Sequence, residues 1–540
     1  MSRRDHIALF VLSAAFFLPF LGYVHLFDWD EINFAESARE MLLTGNWFQV
    51  QINFQPFWEK PPLFFWMQAL GMHTLGTSEY AARLPNAVAG ILTLQVIFLI
   101  GKRWHDRSMA WTWVLLYLGS FLPHLYFKSG IIDPWFNLFI FLSVYHLFLV
   151  LEHKDQHLSR NALLSGCFSG LAILTKGPVG LLLLLLTFLV WLSFKRFRVR
   201  IPWKEVGLFI VACFAVTTLW FGYETVTNGP WFLQEFFAYQ LDLLLHPVAG
   251  HKQPFFYHFV VVLIGCSPLS AIALPAFSRH FMGDDHRFSM WMKYLFWVVM
   301  ILFSIVTTKI VHYSSMAYLP LAYLAALVVQ RTVQSKTTLP AWIRKWVLIQ
   351  GIALGAAIAL VPIAIAFKDT WIGWVNDPFV VGNLSVIVPI GGWEWLIGVA
   401  YITLIGFAVV SLRTNLMRGL RILTLGSAVT IFTTMLVIVP KIERISQGSA
   451  IQFFEEHSQE EVYFETYGYK SYAHYFYGRI TQENAHTMSE HALIASDRPV
   501  MISVRVNRLE KFKEEYPRAT FLYEAGGFHY YRLTAGQSKT

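Results

Sequence analysis

Residues 27–66 read FDWDEINFAESAREMLLTGNWFQVQINFQPFWEKPPLFFW and lie between two apolar segments. They hold Asp28, Asp30, Glu31, Glu36, Glu40 and Glu59, with Lys60 beside the last, in a chain of which only 14% is charged. Further ionisable residues stand singly at the ends of later apolar runs: Arg83, Lys128, Asp133, Lys176, Lys309 and His312. Carboxylates and lysines gathered at one place suit two tasks. A carboxylate can take the proton of an attacking hydroxyl in a transition state. Lysines can neutralise a phosphate leaving group as its charge grows. Each residue also has a plainer reading. Asp28 and Asp30 could cap the helix that follows them, and Asp133 before Pro134 fits a helix start. Glu59 could pair with Lys60, Lys60 could be an interfacial lysine, and Lys176 could snorkel between two apolar segments. His246 and His251 read as solvated loop histidines.

These residues need a membrane frame. The 540 residues are 56% hydrophobic and only 14% charged, where ordinary soluble domains are about 25% charged. About thirteen apolar segments of near-spanning length precede residue 440, near the ~20 residues a spanning helix requires. They run over about 6–24, 82–101, 109–126, 135–151, 161–175, 178–194, 206–222, 256–277, 291–308, 311–330, 346–366, 395–412 and 421–440. Their connections alternate in charge. One set carries Arg3, Arg4, Lys102, Arg103, the 195–204 cluster and Arg413–Arg421, while the other has single cations such as Arg39, Lys60, Lys176 and Lys309. The positive-inside rule then puts the N-terminus in the cytoplasm, and an odd span count puts the C-terminus outside. The net charge of +8 is thus a topogenic signal and calls for no nucleic-acid partner. Cys167, Cys213 and Cys266 all fall in apolar segments, which excludes a disulfide framework. The basic, apolar N-terminus lacks small residues at a cleavage site and reads as a retained first anchor.

The loop of residues 25–81 is expected on the outer side. Ile32, Ala35, Ala38, Met41 and Leu42 recur at helical spacing up to Gly45, which predicts a helix lying in the interface plane. A second short helix is expected from Pro61-Pro62 to Gly76. The outer loops 223–255 and 367–394 follow, the latter with tryptophans as interface anchors. After Pro440 the composition turns polar and aromatic. Alternating runs at 462–466, 500–506, 521–524 and 528–533, with helical patterns at 449–456 and 508–516, predict a small α/β domain over 441–540 outside the membrane, beside a transmembrane domain over 1–440.

As a set, several motifs resemble one family. Asp30-Glu31, the run Ala35–Met41, Gly45-Asn46-Trp47 and Trp58-Glu59-Lys60-Pro61-Pro62-Leu63 are similar to the first external loop of the dolichyl-phosphate-mannose:protein mannosyltransferase and aminoarabinose:lipid A transferase superfamily. Arg83-Leu84-Pro85-Asn86, Ile132-Asp133-Pro134, Leu174–Pro178, and Lys309 with Tyr313 and Leu319-Pro320 follow in the same order. The resemblance implies a polytopic α-helical membrane protein of GT-C fold. It implies an inverting glycosyltransferase that uses a polyprenyl-phosphate sugar and no nucleotide. The acceptor would be a glycolipid, lipid A or lipopolysaccharide, or a protein, at the outer face of the bacterial inner membrane.

Carried over by position, Asp30 is the catalytic carboxylate with Glu31 as its motif neighbour. Lys60, Lys176, Arg83, Lys309 and Tyr313 are assigned to the donor phosphate, and Asp133 and Glu59 line the site. In the aminoarabinose branch, Glu59 would join a histidine in a divalent-metal site. The Glu-His pair of that branch is absent from residues 236–242, so either His246 or His251 replaces it or no metal binds. A transporter or flippase of lipid-linked sugars is the alternative class, although repeated halves and midplane charges, its usual marks, are not visible.

Overall fold

The computed structural model describes residues 3–245, 253–278, 287–485 and 497–534. The first eleven helices in chain order are α1 (Arg3–Phe17), α2 (Asp30–Thr44), α3 (Leu63–Leu75), α4 (Glu79–Trp104), α5 (Arg107–Leu118), α6 (Phe121–Tyr126), α7 (Asp133–Leu151), α8 (Leu158–Lys176), α9 (Val179–Phe194), α10 (Trp203–Asn228) and α11 (Trp231–Leu245). Local signals set several ends. Gly45 takes a left-handed conformation (φ 69°) that stops α2, a geometry a Cβ disfavours. The Ser78 hydroxyl caps α4 by accepting from Ala81 N at 3.3 Å, and Asp106 caps α5 through Met109 N at 2.7 Å.

The chain is a multi-pass membrane protein. Among the described residues, 8 helices are long and apolar enough to cross a membrane, or 9 if the pair Tyr257–Gly265 and Leu269–Phe277, bent by 107°, is one span. The other segments read as apolar from the sequence fold as α1, the α5–α6 pair, α8 and α9, which are shorter or less apolar. Together they enclose a core built around α4, α5, α7 and α9 and the later helices Arg287–Ile305 and Tyr318–Gln334.

Helix α2 is not exposed on either face. Every residue from Glu31 to Met41 is buried, including Asn33, Glu36, Arg39 and Glu40. Its polar face is covered by the chain around Ala473–Phe476, and α3 and α4 pack with it. Buried polar groups require partners, and the charged ones, Glu36, Arg39 and Glu40, have them. Arg39 forks onto Glu36 at 2.8 and 2.7 Å and donates to the carbonyls of Tyr475 and Ile480. Glu40 accepts from the backbone of Asn53 and Phe54 at 2.6 and 2.8 Å. Those two residues form the turn of a small hairpin, β1 (Gln51–Ile52) with β2 (Gln55–Pro56).

Residues 463–533 contain a four-stranded sheet: β3 (Tyr463–Tyr467), β4 (Val500–Arg505), β5 (Thr520–Ala525) and β6 (Phe528–Leu533). The order is β3-β4-β6-β5, with only the β3–β4 pair parallel. The helices Ser449–Glu456 and Leu509–Glu515 pack on it.

Candidate functional site

Six separate pieces of chain converge on one point. Asp30 is the first residue of α2, and Asp133 the first of α7. Both carboxylates thus sit where helix dipoles favour negative charge. Lys176 ends α8, where a cation is favoured. The stretch 59–62 before α3 brings Glu59 and Lys60, the 3-10 turn Val311–Ala317 brings His312, Tyr313 and Ser315, and α11 brings Tyr239 and Gln240.

The Lys176 ammonium lies 2.6 Å from Asp133 Oδ1 and over the rings of Tyr313 (5.0 Å) and Phe136 (5.5 Å). Asp133 Oδ1 also accepts from Ser315 Oγ at 3.4 Å, and Asn137 donates to that hydroxyl at 2.9 Å. His312 Nε2 stands 3.6 Å from Asp30 Oδ2 and 3.8 Å from Asp133 Oδ2. Lys60 Nζ lies 5.4 Å from the centre of the Tyr239 ring and donates to Glu59 O at 3.3 Å. Burial pushes the Lys60 ammonium down, and its neighbour Lys176 adds to this, while Glu59, Asp30 and Asp133 oppose it. Gly177, φ 89°, lets the chain turn out of α8 at this point; a Cβ there would come 2.7 Å from the ring of Phe236 on α11.

Asp30, Asp133, Lys60, Lys176, Tyr313 and Glu59 are therefore brought together. Asp30 is one-third exposed and Asp133 is 2% exposed, so the two carboxylates face different surroundings. The helix-cap readings do not describe them. Trp29 and Ile132 occupy the cap positions, without side-chain cap bonds, and Asp133 turns to Lys176 instead.

Three of the expected site residues are already engaged within the fold. Arg83 does not reach the cluster as a phosphate contact. Its Nε and Nη2 fork onto Glu31 at 3.1 and 2.7 Å, and Nη1 and Nη2 also donate to the carbonyls of Leu21, Val24 and His25. All five of its N–H groups are thereby engaged. Glu31 is correspondingly committed to the fold. It accepts from Arg83 and from the backbone of Phe27 and Gly130, and these donors hold its carboxyl below the usual range despite burial. Lys309 is buried and donates to Val306 O at 2.6 Å, with His258 as an electrostatic neighbour.

Glu59 accepts from the Tyr239 hydroxyl at 3.0 Å. Among the described residues there is no group of three or more His, Cys, Asp or Glu that could hold a metal ion, and His246 and His251 lie outside the described residues. The described residues thus do not by themselves make a metal site at Glu59.

Sequence reasoning assigned no role to His312, Tyr239, Ser315 or Asn137. His312 stands out in the sequence only as an ionisable residue at the end of an apolar run, with no partner indicated. Tyr239 carries no signal within Phe236–Asp242. Next to the cluster lies a cavity of about 470 Å³, lined mainly by apolar side chains such as Phe20, Leu125, Val311, Phe432 and Met435, with His312 in its wall.

Residues 59–220 match the family model described as dolichyl-phosphate-mannose-protein mannosyltransferase. The chain is 26% identical over 364 residues to an undecaprenyl phosphate-alpha-4-amino-4-deoxy-L-arabinose arabinosyl transferase of Enterobacter sp. (strain 638), covering 66% of this chain and 64% of that protein. It is 30% identical over 224 residues to one of Pseudomonas fluorescens (strain Pf0-1), covering 41% of this chain and 40% of that protein. The chain thus spans less than two thirds of the length of the curated relatives it matches. Among solved structures, ArnT from Cupriavidus metallidurans bound to undecaprenyl phosphate superposes with a TM-score of 0.79 at 19% identity, over 100% of both chains. At that identity the likeness speaks for the fold. The chain thus has the fold of this ArnT structure, and its residues 59–220 are similar to the mannosyltransferase family model.

Proposed function

We propose that this protein is an inverting glycosyltransferase. It moves a sugar from a polyprenyl-phosphate carrier to a glycolipid, lipid A or lipopolysaccharide, or a protein acceptor, at the outer face of the bacterial inner membrane. The observation that carries this reading is the convergence of Asp30 with Lys60, Lys176 and Tyr313 at the ends of helices in a membrane bundle. The relatives' names, which specify an undecaprenyl-phosphate sugar donor, support it. So does the adjoining apolar cavity, which offers room for hydrocarbon beside a polar centre.

In the proposed reaction the acceptor hydroxyl oxygen attacks the anomeric carbon. Its proton passes to the Asp30 carboxylate. The bond from the anomeric carbon to the phosphate oxygen breaks, and its electron pair stays with the phosphate. Lys60 and Lys176 neutralise that charge as it grows, and Tyr313 faces it. Asp133 holds Lys176 in place through the 2.6 Å contact. Attack opposite the leaving group inverts the configuration.

The proposed frame has about thirteen spans when the shorter helices are counted as crossing. Its N-terminus is cytoplasmic, and residues 441–540 form an α/β domain on the outer side. For a divalent metal ion the chain offers Glu59 with His246 or His251; no step above is routed through it, and metal analysis of the purified protein before and after chelation tests that set.

The function is tested with purified protein and undecaprenyl-phosphate sugars in detergent, where no sealed membrane exists and transport is undefined. Covalent transfer is expected, and Asp30→Asn is expected to lose it by on the order of 10²–10⁴-fold. Absence of transfer by the parent protein with every such donor would overturn the reading. Parent-level turnover in Asp30→Asn would remove Asp30 as the base.

A further inference from the structure

We infer that His312 is a positioning residue of the site, an imidazole shared between the two carboxylates that orients Asp30 as the base. This rests on the glycosyltransferase reading above. One ring nitrogen, Nε2, faces Asp30 Oδ2 at 3.6 Å and Asp133 Oδ2 at 3.8 Å. Neither distance is a formed hydrogen bond, so a small rotation of the ring commits its N–H to one carboxylate or the other.

The demand on the Asp133 side is plain. Asp133 Oδ1 is engaged by Lys176 and Ser315, whereas Oδ2 is buried and has no hydrogen-bond partner among the described residues. An unmet buried carboxylate oxygen is costly, and His312 Nε2 lies within a short movement of it. The Asp30 side needs orientation. Its carboxylate is one-third exposed, and the imidazole stands 3.6 Å from Oδ2, placed to engage it and to leave Oδ1 to the acceptor hydroxyl. The ring is held by the turn Val311–Ala317, edge-on to Tyr313. Its charged or titratable surroundings are Asp30 from α2, Lys60 from the stretch before α3, Asp133 from α7, Lys176 from α8, His258 from the helix Tyr257–Gly265, and Tyr313 and Lys309 from its own segment.

The test compares the parent with His312→Ala and His312→Gln in purified protein, using an undecaprenyl-phosphate sugar. His312→Ala is expected to lower kcat on the order of 10–100-fold, the range for removing a group that orients a reactive ligand from behind. Its donor KM stays at the parent value, and the acid limb of its kcat profile moves to higher pH because the base has lost a donor. His312→Gln, which restores an N–H, recovers most of kcat. Parent-level kcat in His312→Ala overturns the inference. So does equal loss in both variants with an unmoved acid limb, the signature of packing alone. If His312→Ala does not purify folded, His312→Met, of similar volume and without N–H, takes its place. If the parent itself transfers no sugar, the functional reading fails. Infrared titration then decides the His312 contact separately: the carboxylate band removed by Asp30→Asn shifts its midpoint in His312→Met if the contact exists and is unmoved if it does not.

Discussion

At the residue scale, the site depends on two lysines in different electrostatic settings. Lys176 has a carboxylate at 2.6 Å, whereas Lys60 lies against the Tyr239 ring with its ammonium pushed down by burial. A lysine with a lowered value is charged below that value and neutral above it. Donor affinity that depends on Lys60 is therefore fully present at lower pH and is lost as pH rises, before the ordinary lysine range near 10.4 is reached. The donor KM is expected to climb on the alkaline side in the parent and to stay flat in Lys60→Arg, whose guanidinium remains charged throughout. Donor KM measured across about pH 7 to 10 checks this. The identities of Asp30, Lys60 and Lys176 were legible in the sequence, because charges are rare in this chain and stand out at segment ends. The roles of Glu31 and Arg83 were not legible. Nothing local tells that these two, 52 positions apart, meet as a buried pair.

At the scale of elements, that pair joins α2 to α4. Glu31 and Arg83 tie the start of the Asp30 helix to the span behind it and to the chain at 21–25. Breaking a buried ion pair from one side leaves an uncompensated charge and costs about 3–5 kcal/mol. Arg83→Met is expected to lower the melting temperature in detergent sharply, and the fraction that stays folded should keep the parent's donor KM. A rise in donor KM without loss of stability would return Arg83 to the phosphate. The periodicity of α2 was correctly legible as a helix ending at Gly45, yet its placement was not. An amphipathic pattern says that one face is apolar; it does not say what covers the other. Here Arg39, Glu36 and Glu40 find their partners in the hairpin turn and in the distant carbonyls of Tyr475 and Ile480.

At the scale of the whole molecule, the C-terminal residues are fastened to the loop before α2. Tyr477 receives the backbone N–H of Leu26 at 2.7 Å, and Gln447 contacts both Leu26 and Asp28. His25 pairs with Glu443 at 3.0 Å and lies 3.9 Å from Glu455. Burial lowers the His25 value, but the Glu443 and Glu455 carboxylates outweigh it and the net shift is upward. A histidine raised in the folded state contributes stability that is fully present below its unfolded value, near 6.5, and lost as pH rises through the raised value. Melting temperature is thus expected to fall as pH increases above about 6.5, and His25→Gln should lose that part of the dependence. Equal slopes in parent and variant would show that the pair contributes nothing measurable.

The sequence by itself determined the membrane class, the segments that become helices, the four strands after residue 460 and the acidic loop as a place where ionisable residues gather. Each of these follows from hydropathy, period or the scarcity of charge, which are local properties of a chain. Only the tertiary structure decided which charges face one another. It gave Lys176 to Asp133, Arg83 to Glu31 and Tyr239 to Glu59, and it set His312 between two carboxylates. Pairing across such separations depends on how helices stack and on where buried polar groups can be satisfied, and neither is written in any short stretch of residues.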